Sequence, residues 1–399
     1  MILLFKIKKK IERFIYYFQI PLFLISFYFF KLISIFSTKS KKKILWVIGV
    51  SEIASNIYFL SKIIKPSLTV CLDRNPFYNH NYDFSINVRN VMLKYIYRIF
   101  YGPILLGYLA NKATHFFYIW ETGFLLDREY EFKFLKSKNK KIVCMFCGND
   151  IRSPKLSMKF TKEMEIDYFV EYVGYRLPYY LTDEYDNEKK RLAEIADKYA
   201  DLIFNAQYDQ ISYLKSKQYH FPYMYDKAKF CRNDSKFKDL SKSKIKILHA
   251  PSDPLFKGTP LVRAAIKKLK LEGYDFDYIE LKNVPNEVVL EHLKSAHIVL
   301  NQFYSFVPGL FGIEAMANHC AVLMSADPNI EKGLPQDSKD AWLITRYWEV
   351  YDNLKYLLDN PEKIRYYADN GYEFAYKHYT FEAAEEYINK VLKENGIIP

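Results

Sequence analysis

The chain opens on a stretch without alternation: residues 14–30 carry no charged side chain and are dense in Ile, Leu, Phe and Tyr. From residue 44 the pattern changes to short apolar runs separated by amphipathic segments. The runs at 44–48, 68–72, 115–119, 141–146 and 200–204 read as buried strands. A turn at 49–56 enters a helix that ends before Pro66. A second series follows, with strands at 244–248, 276–280, 297–300 and 321–324 and helices at 260–272, 286–295 and 312–318. Strands alternating with helices predict an α/β fold with mainly parallel sheets. The polar, Lys- and Ser-rich stretch 235–243 is the natural interdomain linker. The expected division is therefore a basic, apolar segment over 1–43, a domain over 44–240, a second over 244–375, and a C-terminal helix over 376–399 that packs back on the first domain. Two such units place a ligand cleft between them, at the C-terminal ends of strands.

Charge changes the reading of the N-terminus. The net charge is +12 and the pI about 9.1. Residues 1–43 hold Lys6, Lys8, Lys9, Lys10, Arg13, Lys31, Lys39, Lys41, Lys42 and Lys43 against the single acid Glu12, so this segment is +9 and the remaining chain only +3. Basic residues flanking an apolar run fit an anionic membrane surface better than nucleic acid, which is not expected as a partner. As a helix, residues 14–30 reach roughly 25 Å at ~1.5 Å per residue, short of the ~30 Å bilayer core. Extension through 32–36 makes the length sufficient at the cost of Lys31. A shallow, monotopic anchor is the first expectation, a single span the second, and a buried helix of the N-terminal domain the third. No small-residue cleavage site follows, so the segment does not read as a signal peptide. Five scattered cysteines form no disulfide framework, and Cys144 and Cys147 lie in an apolar run as buried strand residues. A cytoplasmic protein, peripheral or anchored at the inner face of the cell membrane, is expected.

Three segments carry candidate chemistry. Residues 249–259 read HAPSDPLFKGT between a strand and a helix. Ser252, Lys257 and Gly258 there can offer a hydroxyl, a cation and backbone N–H groups to a phosphate; a solvated lysine at a helix start is the plainer reading. Residues 308–317 read PGLFGIEAMA. Glu314 can serve the helix dipole or accept hydrogen bonds from ribose hydroxyls. Residues 147–152 read CGNDIR. Gly148 permits a sharp turn, which either points Asn149, Asp150 and Arg152 into the cleft or is simply an Asx turn closed by Asp150. Gly49, Ser51, Asn56 and the Trp120–Thr122 segment are further candidates for the acceptor side. His249 stands at the proposed site and can be structural. No D-x-D metal motif stands at a strand end.

The ordered set H-A-P-S…K-G-T, G-x4-E-A-M-A, AWLI at 341–344, LLDNP at 357–361 and HYTF at 378–381 resembles the retaining GT-B glycosyltransferases of the large group-1, GT4-like family. The likeness covers about residues 44–395 and is densest over 245–385. It implies two Rossmann-like domains facing a central cleft. It also implies retaining transfer of a sugar from a nucleotide-diphosphate sugar to a lipid-linked or nascent glycan, in cell-surface polysaccharide or lipopolysaccharide assembly, with no metal or other cofactor. By the same likeness Lys257 binds the donor diphosphate beside Ser252 and Gly258. Glu314 is the ribose-binding second glutamate of an E-x7-E pair, and Gly309, Ala315 and Met316 shape the nucleotide pocket. Asn149, Asp150 and Arg152 resemble a G-S-D-x-R segment near the acceptor or the transferred sugar. Lys257, Glu314 and Asp150 form the implied catalytic set, with Gly49 and Ser51 on the acceptor side. Phe306 stands where the first glutamate of the pair belongs, and residues 252–256 contain no arginine to accompany Lys257. Arg263 and Arg346 are candidate stand-ins, and Tyr304 or Ser305 can supply a hydroxyl. Phe306 also motivates a second expectation: a non-catalytic GT-B-like subunit that binds a nucleotide sugar or a partner transferase.

Overall fold

The computed structural model describes residues 2–35, 44–74, 80–88, 90–166, 178–237, 240 and 244–399. Lys39, Lys41, Lys42, Lys43 and most of the 238–243 stretch of the expected linker lie outside them. Seven strands form the first sheet: β1 (Trp46–Val50), β2 (Ser67–Cys71), β3 (Phe84–Ser85), β4 (His115–Ile119), β5 (Lys141–Met145), β6 (Leu202–Phe204) and β7 (Gln218–Tyr219), in the order 3-2-1-4-5-6-7. Every pairing is parallel. Helices α1 (Ile2–Ile35), α2 (Asn56–Ile63), α3 (Val91–Lys112), α4 (Arg128–Ser137), α5 (Pro154–Glu163) and α6 (Asp183–Tyr199) accompany it.

The second sheet holds β8 (Ile245–His249), β9 (Phe276–Glu280), β10 (Ile298–Leu300), β11 (Ala321–Met324) and β12 (Leu343–Ile344), in the order 12-11-10-8-9, again parallel throughout. Its helices are α7 (Thr259–Leu271), α8 (Asn286–Leu293), α9 (Gly309–Ala317), α10 (Val350–Asp359), α11 (Pro361–His378) and α12 (Phe381–Glu394).

Continuous apolar runs become strands because both faces of each sheet are covered. Alternate residues of one strand feed opposite cores: Val47, Phe116 and Ile142 on one face, Trp46, Phe117 and Val143 on the other. The second core also takes in Ala384, Ile388 and Val391 of α12, so the last helix packs against the first sheet. The chain crosses between the two units twice, near 220–225 and 378–380, and the crossings meet where the Tyr225 N–H donates to the Tyr379 carbonyl at 2.7 Å.

Helix α1 is longer than the apolar run in the sequence, because the basic residues before it continue the same helix. By length and composition Tyr17–Ile35 could cross a membrane, but its packing opposes that reading. Phe23 and Phe27 are buried in the first domain's core, with ring centroids 4.7 and 4.9 Å from Phe134. Gln19 Nε2 donates to the Ile99 carbonyl at 3.1 Å and the Ser26 hydroxyl to the Ile104 carbonyl at 2.9 Å, both on α3. A helix sealed into a core along one face is not surrounded by lipid. The packing ties one face of the helix to the domain and leaves most of Tyr17–Ile35 outside the core. Replacing Phe23 with Ala should cost about 3–5 kcal/mol of stability, the usual penalty for emptying a core phenylalanine site. Denaturant unfolding checks this, and an unchanged midpoint would place Phe23 outside the core.

Candidate functional site

In both sheets the strand order reverses beside the first strand, between β1 and β4 and between β8 and β10. Loops leaving the C-terminal ends of strands at such points open a crevice. Here the two crevices share one cavity of about 390 Å³, with walls from both domains.

On the C-terminal wall, the loop after β8 is pinned by His249. Its Nδ1 lies 2.7 Å from the Leu300 carbonyl and so carries the proton, while Nε2 accepts from the Thr259 hydroxyl at 2.8 Å. Burial pushes its pKa down to about 4, so the ring is neutral. It ties the end of β8 to the first residue of α7, a structural role. Between these points Asp253 accepts from the Leu255 N–H at 3.1 Å. Gly258 then turns at φ 75°, a left-handed conformation that favours glycine, and a Cβ there would sit 3.3 Å from the Phe303 ring.

Ser252 and Lys257 line the cavity. The Lys257 ammonium donates to the Gln302 amide oxygen, and Gln302 is itself fixed by donating to the Val307 carbonyl at 2.6 Å. Burial lowers the Lys257 pKa to about 8; nearby Asp209 opposes that shift and Arg152 reinforces it. Gly309, at φ 65°, lines the same wall at the start of α9.

Leu310 lines the cavity too, and beyond that residue α9 turns away from it. Ala315 and Met316 are fully buried in the second domain's core and do not line it, because the inward face of α9 packs beside Trp342. Glu314 is also buried and absent from the lining; its carboxylate accepts from Asn286 Nδ2 at 3.0 Å. Burial raises its pKa to about 7.

On the N-terminal wall, Asn149 and Arg152 line the cavity, and Asp150 does not. The Asp150 carboxylate folds into its own loop, accepting from the Gly148 N–H at 2.7 Å and the Cys147 N–H at 3.1 Å. The carboxylate reaches back to N–H groups two and three residues earlier, whereas an Asx turn bonds forward, and burial lifts its pKa to about 7. Gly49 and Ser51 lie behind the cavity surface. A Cβ on Gly49 would meet the Val70 carbonyl oxygen at 2.5 Å, so its glycine serves strand packing. The Ser51 hydroxyl is taken up by that of Thr122 at 2.5 Å. Asn56 and Trp120 do reach the cavity. Ala54, Ser55 and Trp120 adopt left-handed φ values of 51°, 64° and 73° at the ends of β1 and β4. Such outliers in bulky residues concentrate at binding sites.

Of the two stand-in arginines, Arg263 pairs with Glu280 at 2.6 Å on the exposed side of α7, and Arg346 pairs with Asp327. Neither lines the cavity. The second cation comes from across the cleft. Arg152 donates through Nη2 to the Asp209 carboxylate and through Nε to its carbonyl, both at 2.7 Å, and through Nη1 to Asn149 at 2.7 Å.

Asp209 then bridges the domains. Its other carboxylate oxygen accepts from the Ser305 hydroxyl at 2.7 Å and the Phe306 N–H at 2.6 Å. Glu331, raised to about 7 by burial, accepts from the Tyr208 and Asp209 N–H groups at 2.8 and 2.9 Å. Phe306 is a buried interdomain contact, edge-on to Phe160 with centroids 6.4 Å apart. The Ser305 hydroxyl is therefore committed to Asp209, while the Tyr304 ring tilts against Tyr347 at 5.5 Å. The grouping of described residues most suited to a metal, Asp234, His319 and Asp369, lies outside the cavity lining, and Arg232 and Arg365 already occupy its carboxylates.

No family model and no curated protein matches this sequence. Solved structures do match. Sucrose-phosphate synthase from Thermosynechococcus elongatus superposes with a TM-score of 0.58 at 13% identity, over 88% of this chain and 98% of its own. Anabaena Alr3699/HepE, solved with UDP-glucose, gives 0.54 at 11% identity over 88% and 99%. WaaG, a glycosyltransferase involved in lipopolysaccharide biosynthesis, gives 0.52 at 11% identity over 86% and 99%. The chain has the GT-B fold. Within GT-B geometry the cavity is the interdomain cleft, with Lys257 and Arg152 on opposite walls. Gln302, Asp209 and Glu331 are site residues that the motifs did not reveal. Gln302 carries a signal, a polar residue two positions past the apolar run that ends at Leu300.

Proposed function

We propose that this protein is a glycosyltransferase that takes a sugar from a nucleotide-diphosphate donor bound in the cleft. The observation that carries the reading is the half-buried Lys257 ammonium at the β8–β10 switch point, facing Arg152 across the same cavity. Two cations, with the Ser252 hydroxyl on the same lining, suit a diphosphate. The names of the neighbouring folds, a sucrose-phosphate synthase, a UDP-glucose complex and a lipopolysaccharide glycosyltransferase, agree with this donor class.

In this reading Ser252, Lys257, Gly258 and Gly309 hold the diphosphate. Glu314 exchanges Asn286 for ribose hydroxyls, with Ala315 behind it. Asn149 and Arg152 face the acceptor and the transferred sugar, and Asp150 acts by shaping their loop. Transfer runs with retention on the front face: the departing phosphate takes the acceptor's proton while the C1–O bond to the leaving group breaks and the new glycosidic bond forms. The protein positions both substrates and stabilises the departing charge, so no metal is needed. The acceptor is a lipid-linked or nascent glycan, reached at a membrane surface that residues 1–43 contact.

A panel of nucleoside diphosphate sugars tested by thermal shift checks the donor. The matching donor should stabilise the protein by about 2.7 kcal/mol at a hundredfold excess over Kd; silence across the panel would sink the proposal. Phe306, used for domain packing instead of a sugar contact, favours one second reading, a GT-B subunit that binds a nucleotide sugar without turning it over. Binding with neither hydrolysis nor transfer would select it.

A further inference from the structure

We infer that α1 and α3 together form one plate that lies flat in an anionic bilayer surface, beside the N-terminal wall of the cleft. The inference rests on the membrane contact proposed for residues 1–43 and extends it to a second helix outside that segment.

The two helices run side by side in the same direction. Phe18 meets Phe100 edge-on at 5.4 Å, Ser26 bonds to Ile104, and the Asn111 amide donates to the Phe27 carbonyl at 2.9 Å, so contact positions rise together along both chains. Their inner faces enter the domain core. Their outer faces do not: Ile25, Phe29 and Leu32 on α1 are 69%, 57% and 59% exposed, and Met92, Ile96 and Phe100 on α3 are 75%, 43% and 47% exposed. Residues 92, 96 and 100 follow four-residue steps and form one stripe. By this register the two groups are staggered along the helix pair, with the exposed Tyr17, Phe18 and Ile104 between them, a longer apolar band than the scattered exposure of an ordinary soluble surface.

Charge selects the occupant. Residues 1–43 carry +9, so a second copy of this chain on the same face would bring like charge against like charge. An anionic leaflet supplies the complement. On α3 itself, Lys94 and Arg98 turn to Asp73 just after β2, leaving the apolar stripe outward. The same pairing sets the first turns of α3 at the C-terminal ends of the strands, the end where the cleft opens. A glycan acceptor anchored in that leaflet thus has its polar part delivered to the N-terminal wall.

The test uses the full chain, because removing α1 would open the core at Phe23 and Phe27. Flotation with phosphatidylcholine vesicles containing phosphatidylglycerol should show binding that salt weakens. The combined variant Met92→Ser, Leu93→Ser, Ile96→Ser, which spares the Phe18–Phe100 contact, should lower partitioning at least about tenfold, given the apolar area removed, while its melting temperature and response to donor stay at parental values. In Tyr97→Trp, brominated lipid should quench the added indole. Parental partitioning by the triple variant, or an unquenched indole, overturns the role of α3. If Ile25→Ser with Phe29→Ser weakens binding while the α3 variant does not, residues 1–43 alone make the contact and this inference fails. A chain that ignores vesicles altogether overturns both.

Discussion

Lys257→Ala should lower kcat/KM for the nucleotide-diphosphate sugar by about 10²–10³, corresponding to about 3–4 kcal/mol of transition-state stabilisation. The ammonium faces the cavity in which the proposed leaving group would sit, and among the described residues it donates to the neutral amide oxygen of Gln302. The fold should survive the change. Folding depresses the Lys257 pKa to about 8, so the folded protein binds fewer protons than the unfolded chain as pH rises above that value. Below it the buried charge costs stability rather than supplying it.

The same shift fixes a pH signature. As pH rises through about 8 the free protein loses the cation, so donor affinity should fall there and binding should take up protons. The Glu314 carboxyl titrates at about 7, and it must be ionised to accept ribose hydrogen bonds. Donor affinity should therefore rise through about 7 and decline past about 8. Calorimetry in buffers of different ionisation enthalpy reads both limbs. Wild-type turnover by the alanine variant, or a flat profile, would remove Lys257 from the donor site.

Asp209→Ala should lower stability by about 3–5 kcal/mol, the scale for stranding one member of a buried ion pair. The Asp209 and Arg152 side chains are only 3% and 12% exposed. Alanine would leave the Arg152 guanidinium, the Ser305 hydroxyl and the Phe306 N–H without their acceptor. Two of these groups belong to the facing domain, so the variant should also swell, seen as a larger radius of gyration by small-angle scattering. Asp209→Asn keeps one acceptor oxygen and should lose less. Turnover should drop with the alanine variant as well, because Arg152, still bonded to Asn149 and the residue-209 carbonyl, would lose the carboxylate that fixes its Nη2. Unaltered melting and scattering would show that the bridge does not hold the domains together.

How far the sequence foretold this arrangement depends on the range of the interactions. Strands buried on both faces announce themselves as apolar runs: the readings at 115–119, 276–280 and 321–324 coincide with β4, β9 and β11, and most others shift by one or two residues. The two-residue strands β3 and β7 carry no such run, since edge strands bury less. Helix α3 was not read at all. Its exposed stripe is as apolar as its buried one, which erases the helical periodicity that pattern reading needs.

The site divides along the same line. Lys257 and Gly258 stood out because a loop joining a strand to a helix has local chemistry. Arg152 was found in its own loop, but its position opposite Lys257 depends on how the domains face each other. Asp209 joins Arg152, 57 positions earlier, to Ser305 and Phe306 of the other domain, some hundred positions later, separations no local spacing encodes. Asp150 and Gly49 show the converse: both looked functional in sequence, and both are absorbed by local backbone demands.

The central claim is that a nucleotide-diphosphate sugar sits in the cleft with its phosphates on Lys257. A crystal structure with the donor selected by thermal shift tests it most directly. Phosphate oxygens should lie within hydrogen-bonding reach of the Lys257 ammonium and the Ser252 hydroxyl. Ordered donor elsewhere, with that ammonium still on Gln302, would contradict it.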